Sequence, residues 1–160
     1  MRIQLIGAAV LILVLTANAW ASSWRGIVPL ISTRSDVERM LGKPNGLGRY
    51  EFDNERAYIY YTDRAPCDRS IDCECLVPNG TVVTIVVTPE IEIKFSKLKV
   101  DRTKFEKTKD PTFPGIVSYS NPVTGITYTV ERDVVTTISY SPAEKDCRLV
   151  LQKARSKPKS

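Results

Sequence analysis

The chain has 160 residues, with 23 lysines and arginines against 18 aspartates and glutamates, and no histidine. The missing imidazole excludes Ser-His-Asp and Cys-His nucleophile systems and His-ligated catalytic zinc, and removes the commonest acid–base group near neutral pH. Charge is uneven: residues 22–93 carry 8 basic and 11 acidic side chains, whereas residues 94–160 carry 14 and 7.

Residues 1–21 read as a secretory signal peptide. Arg2 supplies the positive start, Leu5 to Leu15 is uncharged and mostly apolar, and Ala17-Asn18-Ala19 and Ala19-Trp20-Ala21 offer cleavage after Ala19 or Ala21. The apolar run is too short to span a bilayer, and no later segment has the length or apolarity to do so. The expectation is an exported protein, periplasmic or extracellular, without a transmembrane segment after cleavage. Residues 22–152 then suffice for a single disulfide-stabilised domain. Residues 153–160 alternate basic residues with Ala, Ser and Pro and read as a disordered basic tail.

Thr33 to Pro44 carries the clearest local signal. Thr33 and Asp36 have capping-box spacing, and Asp36 places negative charge in the first turn. Val37, Met40 and Leu41 form one apolar stripe. Gly42 suits the left-handed stop and Pro44 blocks continuation. A two-turn helix is marginal alone, so the stripe must dock on something larger.

Strand signals follow. Arg49–Asp53 and Arg56–Tyr61 flank Asn54-Glu55 as a hairpin, with Ala57, Ile59 and Tyr61 on one face and Tyr58 and Tyr60 on the other. Residues 62–80 form a long loop. Thr81–Thr88 is apolar on both faces and reads as a buried central strand. Ile91–Phe95 alternates as a further strand or a continuation past a bend. Lys97–Asp110 reads as a turn with a short edge strand. Ile116–Ser120, Ile126–Glu131 and Val134–Tyr140 are strands, the last two a hairpin about Arg132-Asp133. Its sequence resembles the first hairpin, which leaves an internal repeat open. Ala143–Gln152 supplies a last helical turn. The expected fold is α+β and β-weighted: one or two short helices packed on an antiparallel sheet of six to eight strands.

Cys67, Cys73, Cys75 and Cys147 are an even set in an exported chain, which points to two disulfides. A Cys73–Cys75 ring is too small. The expected pattern is a short bridge from Cys67 to Cys73 or Cys75, with the remaining cysteine crossing to Cys147. The rival is a four-thiolate zinc site, although C-x5-C-x-C is not a usual knuckle spacing.

Two sets of side chains are candidates for binding. Lys94, Lys97, Lys99, Arg102, Lys104, Lys107 and Lys109 form a basic stretch that could meet an anionic lipid surface or envelope polymer. The same lysines would also protect an edge strand from aggregation. Tyr58 and Tyr60 form a protein-binding patch if their face is uncovered, and core if it is not. Asp36 with Glu38, Glu51 with Asp53, and Asp72 with Glu74 read as caps or solvated faces rather than catalytic pairs. No catalytic residue, metal site or cofactor is assigned.

The run S-T-R-S-D-V-E-R-M-L-G-K-P resembles the capped V-x-x-L-L-G-x-P signature of the BamE (SmpA/OmlA-like) fold, which includes β-lactamase-inhibitor-protein-type modules. Thr33, Val37, Met40, Leu41, Gly42 and Pro44 are the matching positions. The wider pattern, with W-R-G-I-V-P-L ahead of the helix and G-I-T-Y-T-V later, is similar to exported bacterial proteins. The resemblance implies a short helix on an antiparallel sheet. BamE-type proteins are typically lipid-anchored, and this chain has no lipobox cysteine. The expected function is a non-enzymatic binding module for an envelope or extracellular protein. Alternatives are a binder of anionic surfaces through Lys94–Lys109, an enzyme inhibitor by fold analogy, and a His-free hydrolase if two carboxylates share a cleft. Nucleic acid is not an expected partner.

Overall fold

A computed structural model describes residues 22–62 and 73–156. The fold is α+β: two helices and a seven-stranded antiparallel sheet. The helices are α1 (Arg34–Leu41) and α2 (Glu144–Arg155). The strands are β1 (Arg49–Phe52), β2 (Glu55–Tyr61), β3 (Val82–Pro89), β4 (Glu106–Lys109), β5 (Ile116–Asn121), β6 (Ile126–Glu131) and β7 (Val134–Tyr140). Their order in the sheet is β1-β2-β3-β7-β6-β5-β4.

Two meanders therefore meet at one seam. β1-β2-β3 runs to the middle of the sheet. The chain then crosses to the far edge, and β4-β5-β6-β7 returns. The seam is three residue pairs: Ile85 with Tyr140, Val86 with Ser139, and Val87 with Ile138.

The helix start forms as the sequence predicts. The Asp36 amide donates to the Thr33 hydroxyl at 3.3 Å, and the Thr33 amide donates to the Asp36 carboxylate at 2.9 Å. Gly42 closes the helix at φ 79°, ψ −169°, a region essentially reserved for glycine. Val37 is fully buried among Tyr50, Ala57, Ile59, Ile85 and Val87, and Leu41 packs on the same cluster. Burial of one such valine is worth about 1.5–3 kcal/mol. Met40 departs from the expected stripe, being 46% exposed. A helix this short meets a twisted sheet along one line, and Met40 falls beside it, with its methyl group over Gly26. Gly26 sits in a tight turn at φ 80° between Trp24 and Ile27, which return to the core.

The crossover explains a second departure. Ile91–Phe95 is not a strand. Lys94 makes one bridge to Val134, and the chain then turns through the 3-10 segment Phe95–Lys97. Phe95 is drawn instead into a cluster with Val130, Val135, Tyr119 and Tyr128, stacking on Tyr119 at 4.2 Å. Aromatic burial outweighs the period-2 pattern of five residues.

α2 places Cys147, Val150 and Leu151 against Leu30, Cys73 and Val83. It is pinned by a Cys73–Cys147 disulfide with a Cα–Cα distance of 5.1 Å, one of the two crossing bridges the sequence left open, which removes these thiols from any zinc set. Cys75 is likewise disulfide-bonded. The helix runs on through Lys153–Arg155, residues assigned above to the tail, because Lys153 and Arg155 complement the negative end of the helix dipole. The signal-peptide region 1–21, Cys67 with its expected short bridge, and residues 157–160 lie outside the described residues. Among the described residues no helix is long and apolar enough to cross a membrane.

Candidate functional site

Strand register decides which face of the sheet is open. Ala57, Ile59 and Tyr61 of β2 share a face with Ile85 and Val87 of β3, with Ile138 and Tyr140 of β7, and with Tyr128 and Tyr119 beyond. That face is covered twice. Residues 24–41 close it over β1–β3, and the crossover with Phe95 and Leu98 closes it over β5–β7.

The opposite face carries Tyr58, which lies beside Val86, then Ser139, Thr127, Ser120 and Glu106 in one continuous row. A second row runs Thr137, Thr129, Ser118, Thr108. None of these side chains is buried, and Tyr58 and Tyr60 are 36% and 53% exposed. No element among the described residues packs over the middle of this face. β3 is accordingly central but not buried on both sides, as its sequence suggested: Thr84, Val86 and Thr88 are only half-covered.

The open face has an apolar-aromatic end and a hydroxyl-rich end. At the aromatic end Arg49 pairs with Glu51 and lies directly across from Tyr58. Glu51 raises the Arg49 pKa, burial opposes this, and the Tyr58 hydroxyl raises it further. Among the described residues Arg49 Nε is buried without a hydrogen-bond partner. At the other end the Thr127 hydroxyl bonds that of Ser120 at 3.0 Å. These groups can supply directional polar contacts beside two large amphipathic rings, a composition suited to protein surfaces.

The basic stretch is less concentrated than its sequence suggests. Lys94 is held by Glu92 at 2.9 Å, which raises its pKa against a smaller desolvation effect. Lys104 approaches Asp101 at 3.8 Å. Arg102 donates to the Phe95 carbonyl at 3.1 Å and lies over its ring, and Lys107 lies over Tyr119. Among the described residues, Lys97, Lys99 and Lys109 make no ion pair or ring contact. β4, with Lys107 and Lys109, is a fully exposed four-residue edge strand. Lysines in that place blunt edge-to-edge pairing.

Among the described residues carboxylates share two depressions: Glu74 and Glu144 line one beside the Cys73–Cys147 bridge, where Arg148 holds Glu144 at 2.6 Å, and three more meet at the other. Glu51, Asp53 and Glu55 line a shallow depression at the β1–β2 turn. Glu55 is held by Arg25 at 2.9 Å and accepts from Trp24 Nε1 at 3.3 Å, and Glu51 is held by Arg49. Two of the three are thus engaged by arginine. Among the described residues no group of three metal-ligating side chains converges.

The tyrosines were visible as candidates in the sequence, but the hydroxyl rows were not. Their signal is alternation of hydroxyl and aromatic residues, in Ser118-Tyr119-Ser120 and Thr127-Tyr128-Thr129, which puts rings inward and hydroxyls outward. Comparison with protein-family models, with curated proteins and with solved structures finds no match to this chain.

Proposed function

We propose that this is an exported, non-enzymatic binding module that contacts another protein through the open sheet face, centred on Tyr58 and Tyr60. The observation that carries the reading is the uncovered face itself, with both tyrosines exposed on it. Aromatic residues of this kind are enriched where proteins meet. The intramolecular Cys73–Cys147 disulfide supports export to an oxidising compartment. A short capped helix on an antiparallel sheet is also what the BamE-like resemblance implies, and an enzyme inhibitor would be a narrower form of the same proposal.

The test is site-specific photo-cross-linking in the producing cells. A photoreactive phenylalanine at Tyr60 should give a discrete adduct, and one at the exposed Lys145 of α2 should not. Tyr58→Ala should abolish the Tyr60 adduct without changing protein level. Identical patterns from both positions would overturn the reading.

A further inference from the structure

Arg34 and Glu38 stand one turn apart on α1, about 6 Å along the axis. Opposite charges at this spacing commonly close on each other, as Glu144 and Arg148 do at 2.6 Å in α2. In α1 the order is reversed, basic before acidic, which is the weaker arrangement. Among the described residues neither Arg34 nor Glu38 makes an ion pair. The Arg34 guanidinium lies over the Tyr61 ring instead, 4.1 Å from its centre.

Both side chains line a groove of 280 Å³. Tyr50 and Ile59, which are buried, supply its apolar lining, and Tyr61 joins them. Burial is the main cause of the raised Tyr50 and Tyr61 pKa values, the two hydroxyls act on each other, and Glu38 raises both while Arg34 lowers both. A cation, an anion and two phenol hydroxyls therefore converge on one small groove beside apolar surface, the composition of a ligand site. Its volume falls just short of the roughly 300 Å³ at which drug-sized pockets begin, so the occupant is a small molecule. Opposite charges held apart call for a ligand that carries both. In an α-amino acid the ammonium nitrogen and carboxylate carbon are about 2.5 Å apart. With a hydrogen bond of about 2.9 Å at each end, such a molecule bridges roughly 8 Å. That span suits two long side chains rooted one helical turn apart.

We propose that this groove binds a free α-amino acid with an apolar side chain, in its zwitterionic form. The carboxylate meets Arg34 and the ammonium meets Glu38. The side chain lies against Ile59 and the Tyr50 ring, and the tyrosine hydroxyls supply the remaining polar contacts. This small-molecule site goes beyond the protein-binding reading and does not depend on the open face.

The probe is L-leucine, titrated into the isotope-labelled full chain while backbone amide resonances are followed. Those of Arg34, Glu38 and Tyr61 should shift saturably. N-acetyl-L-leucine, which lacks the ammonium, and L-leucinamide, which lacks the carboxylate, should each bind about tenfold more weakly, the scale of a lost charge-assisted hydrogen bond. Glycine, with no side chain to set against Ile59, should also bind more weakly. Arg34→Gln should weaken L-leucine about tenfold and leave L-leucinamide unchanged; Glu38→Gln should weaken L-leucine and leave N-acetyl-L-leucine unchanged. No saturable shift with L-leucine, equal binding of either blocked form, or an Arg34→Gln variant that weakens L-leucine and L-leucinamide alike would each overturn the proposal. Cross-links from Tyr60 without L-leucine binding would remove this inference alone; L-leucine binding without cross-links would remove the open face as the contact surface.

Discussion

Breaking the Cys73–Cys147 bridge gives the sharpest test of how the fold is held. The two cysteines are 74 residues apart, and the loop they close contains β3 to β7. In the chain-entropy description a loop of that length restricts the unfolded chain by about 4.4 kcal/mol at 25 °C. Cys73→Ala with Cys147→Ala removes the bridge without burying a hydroxyl at Cys73, which is almost fully enclosed. Urea unfolding, followed by Trp24 fluorescence and by far-ultraviolet circular dichroism, should show a stability loss of about 4 kcal/mol. The urea dependence should steepen, because the freed unfolded chain exposes more surface. The melting temperature should fall by roughly 15 °C. A loss below about 1 kcal/mol would refute the argument, since the unfolded chain would then be restricted by something other than the bridge. So would a variant in which α2 detaches in a separate step while the sheet unfolds as in the parent.

Three further outcomes follow from the packing and the titrating groups. Val37→Ala should cost about 2–3 kcal/mol by transfer and cavity terms, and Met40→Ala less than about 1 kcal/mol, both read by urea unfolding; equal costs would place the core contact wrongly. Gly125→Ala should fail to accumulate as folded protein or lose more than about 2 kcal/mol, because φ is 73° there and a Cβ would overlap the Ser141 carbonyl oxygen. The pH dependence has two arms. Hydrogen bonds from the Thr33 side chain and then its backbone hold the Asp36 pKa below its ordinary value. A depressed carboxylate stabilises above its unfolded pKa of about 4 and ceases to do so as pH falls through the folded value. Asp36→Asn should therefore lower the urea midpoint at neutral pH, with the difference vanishing near pH 2. Burial raises the pKa of Tyr50, Tyr61, Tyr128 and Tyr140. For a raised acid the stabilisation is complete below the unfolded pKa of about 10 and is lost as pH climbs beyond it. Tyrosinate absorbance from these four should appear together with loss of circular dichroism; reversible ionisation of the intact fold would contradict this.

The elements readable in the sequence were those whose signals are local. Thr33, Asp36 and Gly42 determine a helix within ten residues, and Ile126–Glu131 and Val134–Tyr140 alternate cleanly about a turn whose two residues, Arg132 and Asp133, both adopt positive φ. Segments governed by distant partners were misread. Ile91–Phe95 alternates like a strand, but Phe95 is worth more against Tyr119 and Tyr128 than in a ladder. Met40 has helical spacing, yet helix–sheet geometry leaves it beside the contact. The open face was half legible. Tyr58 and Tyr60 were identifiable from β2 alone, whereas whether anything covers them depended on where the crossover runs.

The seam between β3 and β7 bears on how the molecule comes together in time. Each meander can form from neighbours in sequence, but the three seam pairs join residues with β4, β5 and β6 lying between them. Closing that distance is the slow, high-contact-order step. Cys73 lies just before one seam strand and Cys147 just after the other. Oxidation of that pair ahead of seam closure would turn a long-range search into a short one, so folding in an oxidising compartment should be faster than refolding of the reduced chain.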